Sequence, residues 1–166
     1  MSANGLEVFD RTLQITNIWL DEIMAVVGPD RRLAWKVLSV VLHKLRDRLP
    51  LELSAHLGAQ LPLLVRGVYY DQFQPGRVPS HCRNLAEFTD EVAEWLTEAP
   101  PVDPKDAVCA VFGVIGRHVS AGEVAKVKAA LPAGIRAAFD DAEGLPTRSK
   151  PLRKGEFDPV TQITLR

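Results

Sequence analysis

Apolar residues recur along most of this chain at the three- and four-residue spacing of amphipathic helices, and no segment alternates like a half-buried strand. The first predicted helix runs from Leu6 to Val27 and stops at Gly28-Pro29. The second begins behind the capping residue Asp30, and Pro50 and Pro62 each precede a shorter helix. The apolar stripe of the first helix, which we expect to face the core, consists of Phe9, Leu13, Thr16, Leu20, Ile23 and Val27.

The same order of signals returns in the second half of the chain. Residues 74–83 contain proline and glycine and are predicted to be a linker. Behind them, Asn84 and Asp103 are predicted helix caps, Ser120 opens a capping box, and Pro132 begins a last helix. Four more helices are therefore predicted, and the fold class is all-α.

The two halves also agree position by position. A shift of 70 residues carries Leu61-Pro62 onto Leu131-Pro132 and Arg66 onto Arg136. We therefore predict two tandem repeats of about four helices, packed into one bundle-like domain. The predicted divisions are residues 1–73 for the first repeat, 74–83 for the linker, 84–142 for the second repeat and 143–166 for an extended or disordered tail.

A specific string of short motifs accompanies this repeat. It comprises Arg46-Asp-Arg-Leu-Pro50, Ala59-Gln-Leu-Pro62, Arg66-Gly67 and Tyr69-Tyr70, and it continues as Arg117-His-Val-Ser120 and Leu131-Pro132. The string resembles that of an uncharacterised bacterial family known as domain of unknown function 2267, over Leu6 to Asp141. The resemblance implies an all-helical tandem repeat without an established activity and without catalytic residues to carry over.

Composition narrows the classes of function. The chain of 166 residues is 46% hydrophobic, and its 20 Lys+Arg against 21 Asp+Glu give a net charge of −1. These values are typical of a globular protein and lack the basic excess of a generic nucleic-acid binder. There is no membrane-length apolar run and no signal pattern, and Cys82 and Cys109 form no disulfide framework, so we expect a cytoplasmic protein without a membrane partner.

Charge is nevertheless unevenly distributed. The second predicted helix carries the basic residues Arg31, Arg32, Lys36, Lys44, Arg46 and Arg48, and the fifth carries the acidic residues Glu87, Asp90, Glu91, Glu94 and Glu98. The two helices could attract each other within one chain, or join the basic face of one chain to the acidic face of another. They could also be two solvated faces, or the basic helix could contact phosphates weakly.

A few residues stand out as candidates for binding. Arg66 and Arg136 occupy equivalent positions, where they could bind an anion or satisfy carbonyl groups between helices. The aromatic patch of Tyr69, Tyr70 and Phe73 could anchor a partner, because three neighbouring rings cannot all face one core. Two glycines within the sixth predicted helix, Gly113 and Gly116, are expected to allow the close approach of another helix.

The residues present do not converge on a known reaction. The sequence contains no His-x3-His or Cys-x2-Cys metal motif, no nucleophile elbow and no phosphate loop, so we predict no catalytic residues, no metal site and no cofactor. The first hypothesis is a non-catalytic helical interaction module that binds a protein partner or itself. The alternatives are a small-ligand or enzymatic pocket between the repeats, and weak nucleic-acid association through the basic second helix and the tail.

Overall fold

The computed structural model describes residues 5–97 and 100–145, and this part of the chain contains eight α-helices and no strand. The all-α prediction is confirmed. The predicted tail lies outside the described residues from position 146 onward, and Glu143, placed at its start, is the last residue of a helix. The helices are α1 (Glu7–Val27), α2 (Arg31–Arg48), α3 (Leu51–Gln60), α4 (Leu63–Tyr70), α5 (Leu85–Trp95), α6 (Pro104–His118), α7 (Ala121–Ala130) and α8 (Ala133–Glu143).

The predicted caps begin the helices at the expected residues. The carboxylate of Asp30 accepts hydrogen bonds from the backbone N–H groups of the first turn of α2, and Asn84 and Asp103 do the same for α5 and α6. At α7 the capping box is only half formed. Ser120 Oγ accepts from the N–H of Glu123 at 3.4 Å, but the N–H of Ser120 donates to Gln60 Oε1 of α3 at 3.1 Å. A side chain from the other half of the molecule thus takes the place of the reciprocal bond.

The two halves share one hydrophobic core. Helix α1 packs on α2 and on α6, whereas α5 packs on α6 and on α2, so each half places its first helix against the second helix of the other. Trp19, Phe88 and Phe112 are fully buried where these helices meet. The ring of Phe112 stacks on that of Phe139 of α8 with centroids 3.9 Å apart. We infer that neither half could bury its apolar side chains alone.

Equivalent elements of the two halves also meet. Helix α2 contacts α6 and α3 contacts α7. The 70-residue shift pairs Leu45 with Ile115 in the core, and Leu49 with Val119 where α2 and α6 end. Such contacts between like elements are expected of a duplicated unit whose copies are related by a pseudo-twofold axis. We propose duplication of a four-helix unit as its origin.

The apolar stripe of α1 is longer than the core that it covers. Thr16, Leu20 and Ile23 are buried as predicted, but Phe9 and Leu13 are 48% and 44% exposed. The expectation that the whole stripe faces the core was therefore wrong for its first turns. Among the described residues, no helix combines the length and the apolar character that crossing a membrane requires.

Candidate functional site

A cleft of about 570 Å³ lies between α2, α5 and the segment that connects α4 to α5. We call it the polar cleft, because charged and amide side chains form most of its wall. The connecting segment is fastened to α2, since Ser80 donates both its N–H and its hydroxyl to the carbonyl of Asp47, at 2.7 and 3.1 Å. The cleft is lined by Val40, His43, Lys44, Arg46, Asp47 and Arg48 of α2, by Gln72, Gln74, Arg77, Ser80 and His81 of the connecting segment, and by Glu91 and Trp95 of α5.

A buried guanidinium joins the two halves at the base of this cleft. Arg48 is only 8% exposed, and it donates Nη1–H to Ser80 Oγ and Nη2–H to Glu91 Oε2. Its Nε–H is buried and has no hydrogen-bond partner among the described residues. Lys44 Nζ lies 3.8 Å from the same Glu91 oxygen. The basic helix and the acidic helix therefore meet within one chain at these residues, one of the alternatives that the sequence left open.

Lys44 also lies against an exposed aromatic ring. Its Nζ is 5.1 Å from the ring centroid of Trp95, a cation–π distance. Trp95 is 60% exposed, which makes it the most exposed of the large apolar residues in the described part of the chain. The end of α5 thus presents a flat ring beside the cations of α2.

Arg46 lies in the interior of the protein and not on its surface. It is 4% exposed, donates Nη1–H to the carbonyls of Tyr69 and Asp71 at 2.7 and 2.9 Å, and pairs through Nε with Asp47 at 2.8 Å. These carbonyls end α4, so Arg46 caps that helix from α2. The guanidinium also lies 5.0 Å above the ring of Phe73.

The six cations of α2 consequently do not form one basic face. Arg46 and Arg48 are buried, and Arg31 bonds to Asp21 and Asn17 of α1 at 2.8 and 2.7 Å. Arg32 is exposed, whereas Lys36 and Lys44 are partly covered. The prediction of a single basic face on this helix was wrong, because α2 is packed on four other helices. Of the α2 cations on which the nucleic-acid hypothesis depended, Arg46 is buried and Arg31 is paired with α1, whereas Arg32 stays exposed and the basic tail lies outside the described residues.

His43 contributes a neutral ring to the wall. Its Nε2 lies 2.6 Å from the carbonyl of Val68, so this nitrogen carries the donated proton. Burial lowers the pKa of His43 below its usual value of 6.5, and the nearby charge of Arg46 adds to the lowering, although the bond to Val68 opposes it. In the neutral tautomer with Nε2–H, Nδ1 keeps its lone pair.

Arg66 and Arg136 bind backbone carbonyls at equivalent places. Arg66 donates to the carbonyls of Gly58, Ala59 and Leu61, each at 3.0 Å. Arg136 donates to the carbonyls of Lys128 and Leu131 at 3.0 and 3.1 Å. Both guanidinium groups are thereby used to cap the ends of α3 and α7.

The rings of the aromatic patch pack against residues of the first half of the chain. Tyr69 is fully buried, and its hydroxyl donates to the carbonyl of Ser54 at 2.7 Å. Tyr70 packs edge-on against Tyr69 with centroids 5.1 Å apart, covers Gly58, and donates to the carbonyl of Ala55 at 3.2 Å. None of the three rings, including Phe73, is exposed. The expected partner anchor is therefore not supplied by this patch.

A second cleft lies in the second half, between α6, α7 and α8, and it is not the counterpart of the polar cleft, which lies between α2, α5 and the connecting segment. The 70-residue shift puts Gly113 where His43 stands and Gly116 where Arg46 stands, and the space beside these glycines measures about 620 Å³. A Cβ added to Gly113 would lie 3.5 Å from the carbonyl oxygen of Ala142 in α8, whereas no described atom lies within 4 Å of a Cβ added to Gly116. The expected helix approach is thus wrong for Gly116, which faces this open glycine cleft.

The ion pair between the halves also has an equivalent. Glu22 of α1 bonds to His118 Nε2 at 2.9 Å and to Arg117 Nε at 3.1 Å, as Glu91 of α5 bonds to Arg48. Burial by itself raises the pKa of Glu22, but the bonds and charges of His118 and Arg117 outweigh it and hold the pKa below its usual value. The ring of His118 stacks on Trp19 with centroids 5.4 Å apart.

An exposed apolar surface lies at the other end of the molecule, where α1 and α4 begin. Thr12 Oγ1 accepts the N–H of Leu64 at 3.1 Å and so holds the start of α4 against α1. Large apolar side chains stand exposed on both sides of this bond, by 37% to 54%. We call this surface the apolar face; it consists of Leu6, Phe9, Leu13, Leu63 and Leu64.

Neither metal binding nor a reactive thiol stands out in the geometry. Within the described ranges, no three His, Cys, Asp or Glu side chains are grouped so that they could hold a metal ion. Both cysteines are free. Burial raises the pKa of the Cys109 thiol, which lies in the core, and Cys82 Sγ donates to the carbonyl of Asn84 at 3.3 Å.

Sequence reasoning missed several of these features. Ser80 and Trp95 carried no signal for a cleft, and Glu91 stood out only as one of several acidic residues. The comparison of the two halves held a usable signal, since the 70-residue shift pairs Gly113 with His43 and Gly116 with Arg46, and the two glycines line the cleft of the second half.

Comparison with known proteins gives the chain a family. No curated protein matches it significantly. A family model described as uncharacterized conserved protein (DUF2267) matches residues 16–138, well over half of the chain. The match extends from the buried part of α1 into α8, and so includes every helix of the shared core. The chain therefore belongs to the DUF2267 family of uncharacterized conserved proteins.

Proposed function

We propose that this protein is a non-catalytic helical interaction module that self-associates through the apolar face. The observation that carries the proposal is the exposure of five large apolar side chains in one place, at the start of α1 and α4. Contiguous apolar surface of this kind on a folded chain marks sites of association more often than chance exposure does.

A second copy of the chain fits this surface better than a charged partner. Phe9 and Leu13 are four residues apart and form a ridge on α1, and two such ridges can pack into each other around a twofold axis. Leu63 and Leu64 would flank the crossing helices. The patch is small beside the area that a permanent dimer buries, so we expect a dimer that dissociates on dilution.

The apolar character of the contact predicts its response to salt. An interface between a basic and an acidic helix of two chains would weaken as salt screens the charges. Association through the apolar face should instead persist or strengthen in a salting-out salt such as sulfate. Light scattering coupled to size exclusion, over a series of concentrations and salts, distinguishes the two.

A matched pair of variants locates the contact. Leu13→Glu places a charge in the apolar face, and Ile18→Glu places the same charge on the same helix, at the same 44% exposure but on its opposite side. We expect Leu13→Glu to be monomeric and Ile18→Glu to associate like the wild type. A wild-type chain that stays monomeric at every concentration would refute the proposal, as would equal behaviour of the two variants.

We further infer that the described helices form two repeats joined by the segment at 74–83, and that the protein is cytoplasmic. The equivalent capping arginines, Arg66 and Arg136, support the first inference, because each binds the carbonyls that end the preceding helix. The two free thiols support the second, since a reducing compartment preserves them.

A further inference from the structure

The polar cleft has an excess of positive charge. Lys44, Arg46, Arg48 and Arg77 line it against the two carboxylates of Asp47 and Glu91. The difference is four positive charges minus two negative ones, without counting the histidines. Its volume of about 570 Å³ lies within the range of small-molecule sites. A cleft of this size and sign favours a small dianion.

Three cationic donors in this cleft are not fully used by the described residues. Arg48 is more than nine-tenths buried, and its Nε–H has no partner. Lys44 Nζ makes no hydrogen bond, because its nearest carboxylate oxygen, on Glu91, is 3.8 Å away. Arg77 is exposed and makes no ion pair in the described part of the chain. Lys44 and Arg77 are therefore the cations of the cleft that can still donate to the acceptor oxygens of a ligand, whereas Arg48 Nε–H is buried out of reach of a ligand, so that Arg48 contributes only its charge.

The neighbouring ring adds a second recognition element. Trp95 presents its indole to solvent beside Lys44, at the edge of the same cleft. Aromatic platforms next to cations hold flat rings whose phosphate groups extend toward the cations. A phosphate alone would use the cations and leave the ring uncovered.

We propose that the polar cleft binds a small phosphate monoester that carries a planar ring, a ligand of the nucleotide type. The phosphate lies between Lys44 and Arg77, the ring lies on Trp95, and Arg48 contributes its charge from beneath. No bond is made or broken in this binding. The proposal is independent of self-association, since it uses no residue of the apolar face.

The contributions of the ring and of the phosphate can be measured separately by comparing adenosine monophosphate with adenosine and with inorganic phosphate. Tryptophan fluorescence reports on binding, because Trp95 is exposed whereas Trp19 is buried and Trp35 is partly buried. We expect adenosine monophosphate to quench the fluorescence and to raise the melting temperature. Each fragment alone should bind more weakly by about tenfold or more, the value of one charge-assisted bond or one stacked base.

Two arginines of the connecting segment provide a matched control. Arg77→Ala removes a cation from the cleft, and Arg83→Ala removes another exposed cation that does not line it. We expect about a tenfold loss of affinity in the first variant and none in the second. The Trp95→Ala variant is assayed by the shift of its melting temperature. It should bind adenosine monophosphate more weakly than the wild type does and inorganic phosphate equally well.

The possible failures overturn distinct parts of the proposal. If adenosine monophosphate gives neither quenching nor a melting shift, the cleft is not a site for this class of ligand. An equal loss in Arg77→Ala and Arg83→Ala would show general charge attraction and refute the site. Inorganic phosphate that binds as tightly as adenosine monophosphate would refute the role of the Trp95 ring.

Discussion

The ion pairs between the halves allow a direct test of how burial sets the energy of a charge. Glu91 of α5 and Glu22 of α1 make corresponding ion pairs, because each binds cations at the end of the second helix of the other half. Glu91→Gln and Glu22→Gln both keep an amide oxygen as acceptor and remove the charge. The two substitutions differ in what they leave behind.

Glu91→Gln strands a buried guanidinium. The side chain of Arg48 is 6% exposed, and its other bond goes to the uncharged Ser80. Removing one partner of a fully buried pair costs about 3–5 kcal/mol, and because the side chain of Glu91 is itself 35% exposed we expect about 2 kcal/mol. Glu22→Gln leaves Arg117 and His118, which are 28% and 31% exposed and remain hydrated, so about 1 kcal/mol is expected.

Urea unfolding of the full chain, monitored by circular dichroism, measures both losses. The slopes of free energy against urea should match that of the wild type, which shows that the folded and unfolded states are otherwise unchanged. A second substitution, Arg48→Met in the Glu91→Gln background, removes the stranded charge and should recover about 1 kcal/mol. If Glu91→Gln costs no more than Glu22→Gln, or if Arg48→Met adds to the loss, the argument from burial is wrong.

Two further predictions concern one residue in each of the two clefts. Gly116→Ala should raise the free energy of unfolding by about 0.5–1 kcal/mol in urea titrations, because the new methyl meets no atom and the helix loses an interior glycine; a destabilised variant would contradict this reading. His43→Gln should flatten the dependence of stability on pH below 6.5, where the unfolded chain binds a proton that the folded chain, with its lowered pKa, does not yet bind. The wild type should lose stability as pH falls through that window, and an unchanged slope in the variant would assign the loss to other groups.

The candidate site could be predicted from the sequence only in part. The basic and acidic helices were visible as charge runs, and Lys44, Arg46 and Arg48 were among the candidates. Their separate roles were not visible, because Arg46 is buried under the end of α4 whereas Lys44 lies at the edge of the cleft. Burial depends on which other helices pack over a residue, and the sequence of one helix does not show this.

The sequence by itself determined the helices and their ends. Asp30, Asn84 and Asp103 cap helices through bonds to residues two or three positions away, and prolines end the preceding helices locally. The half-formed box at Ser120 departs from this rule only because Gln60 reaches it from another helix. Capping signals act within one turn and depend only on neighbouring residues, so the sequence predicts these helix ends correctly.

Only the tertiary structure decided where charge and apolar surface came to lie. Arg48 and Glu91 are 43 residues apart in the chain, and their contact exists because α5 of the second half packs on α2 of the first. Phe9 and Leu13 continue the apolar stripe of α1, yet they are exposed because the stripe extends beyond the helices that cover its later turns. Periodicity determines the face of a helix on which residues lie, whereas the extent of the packed neighbours determines how much of that face is buried.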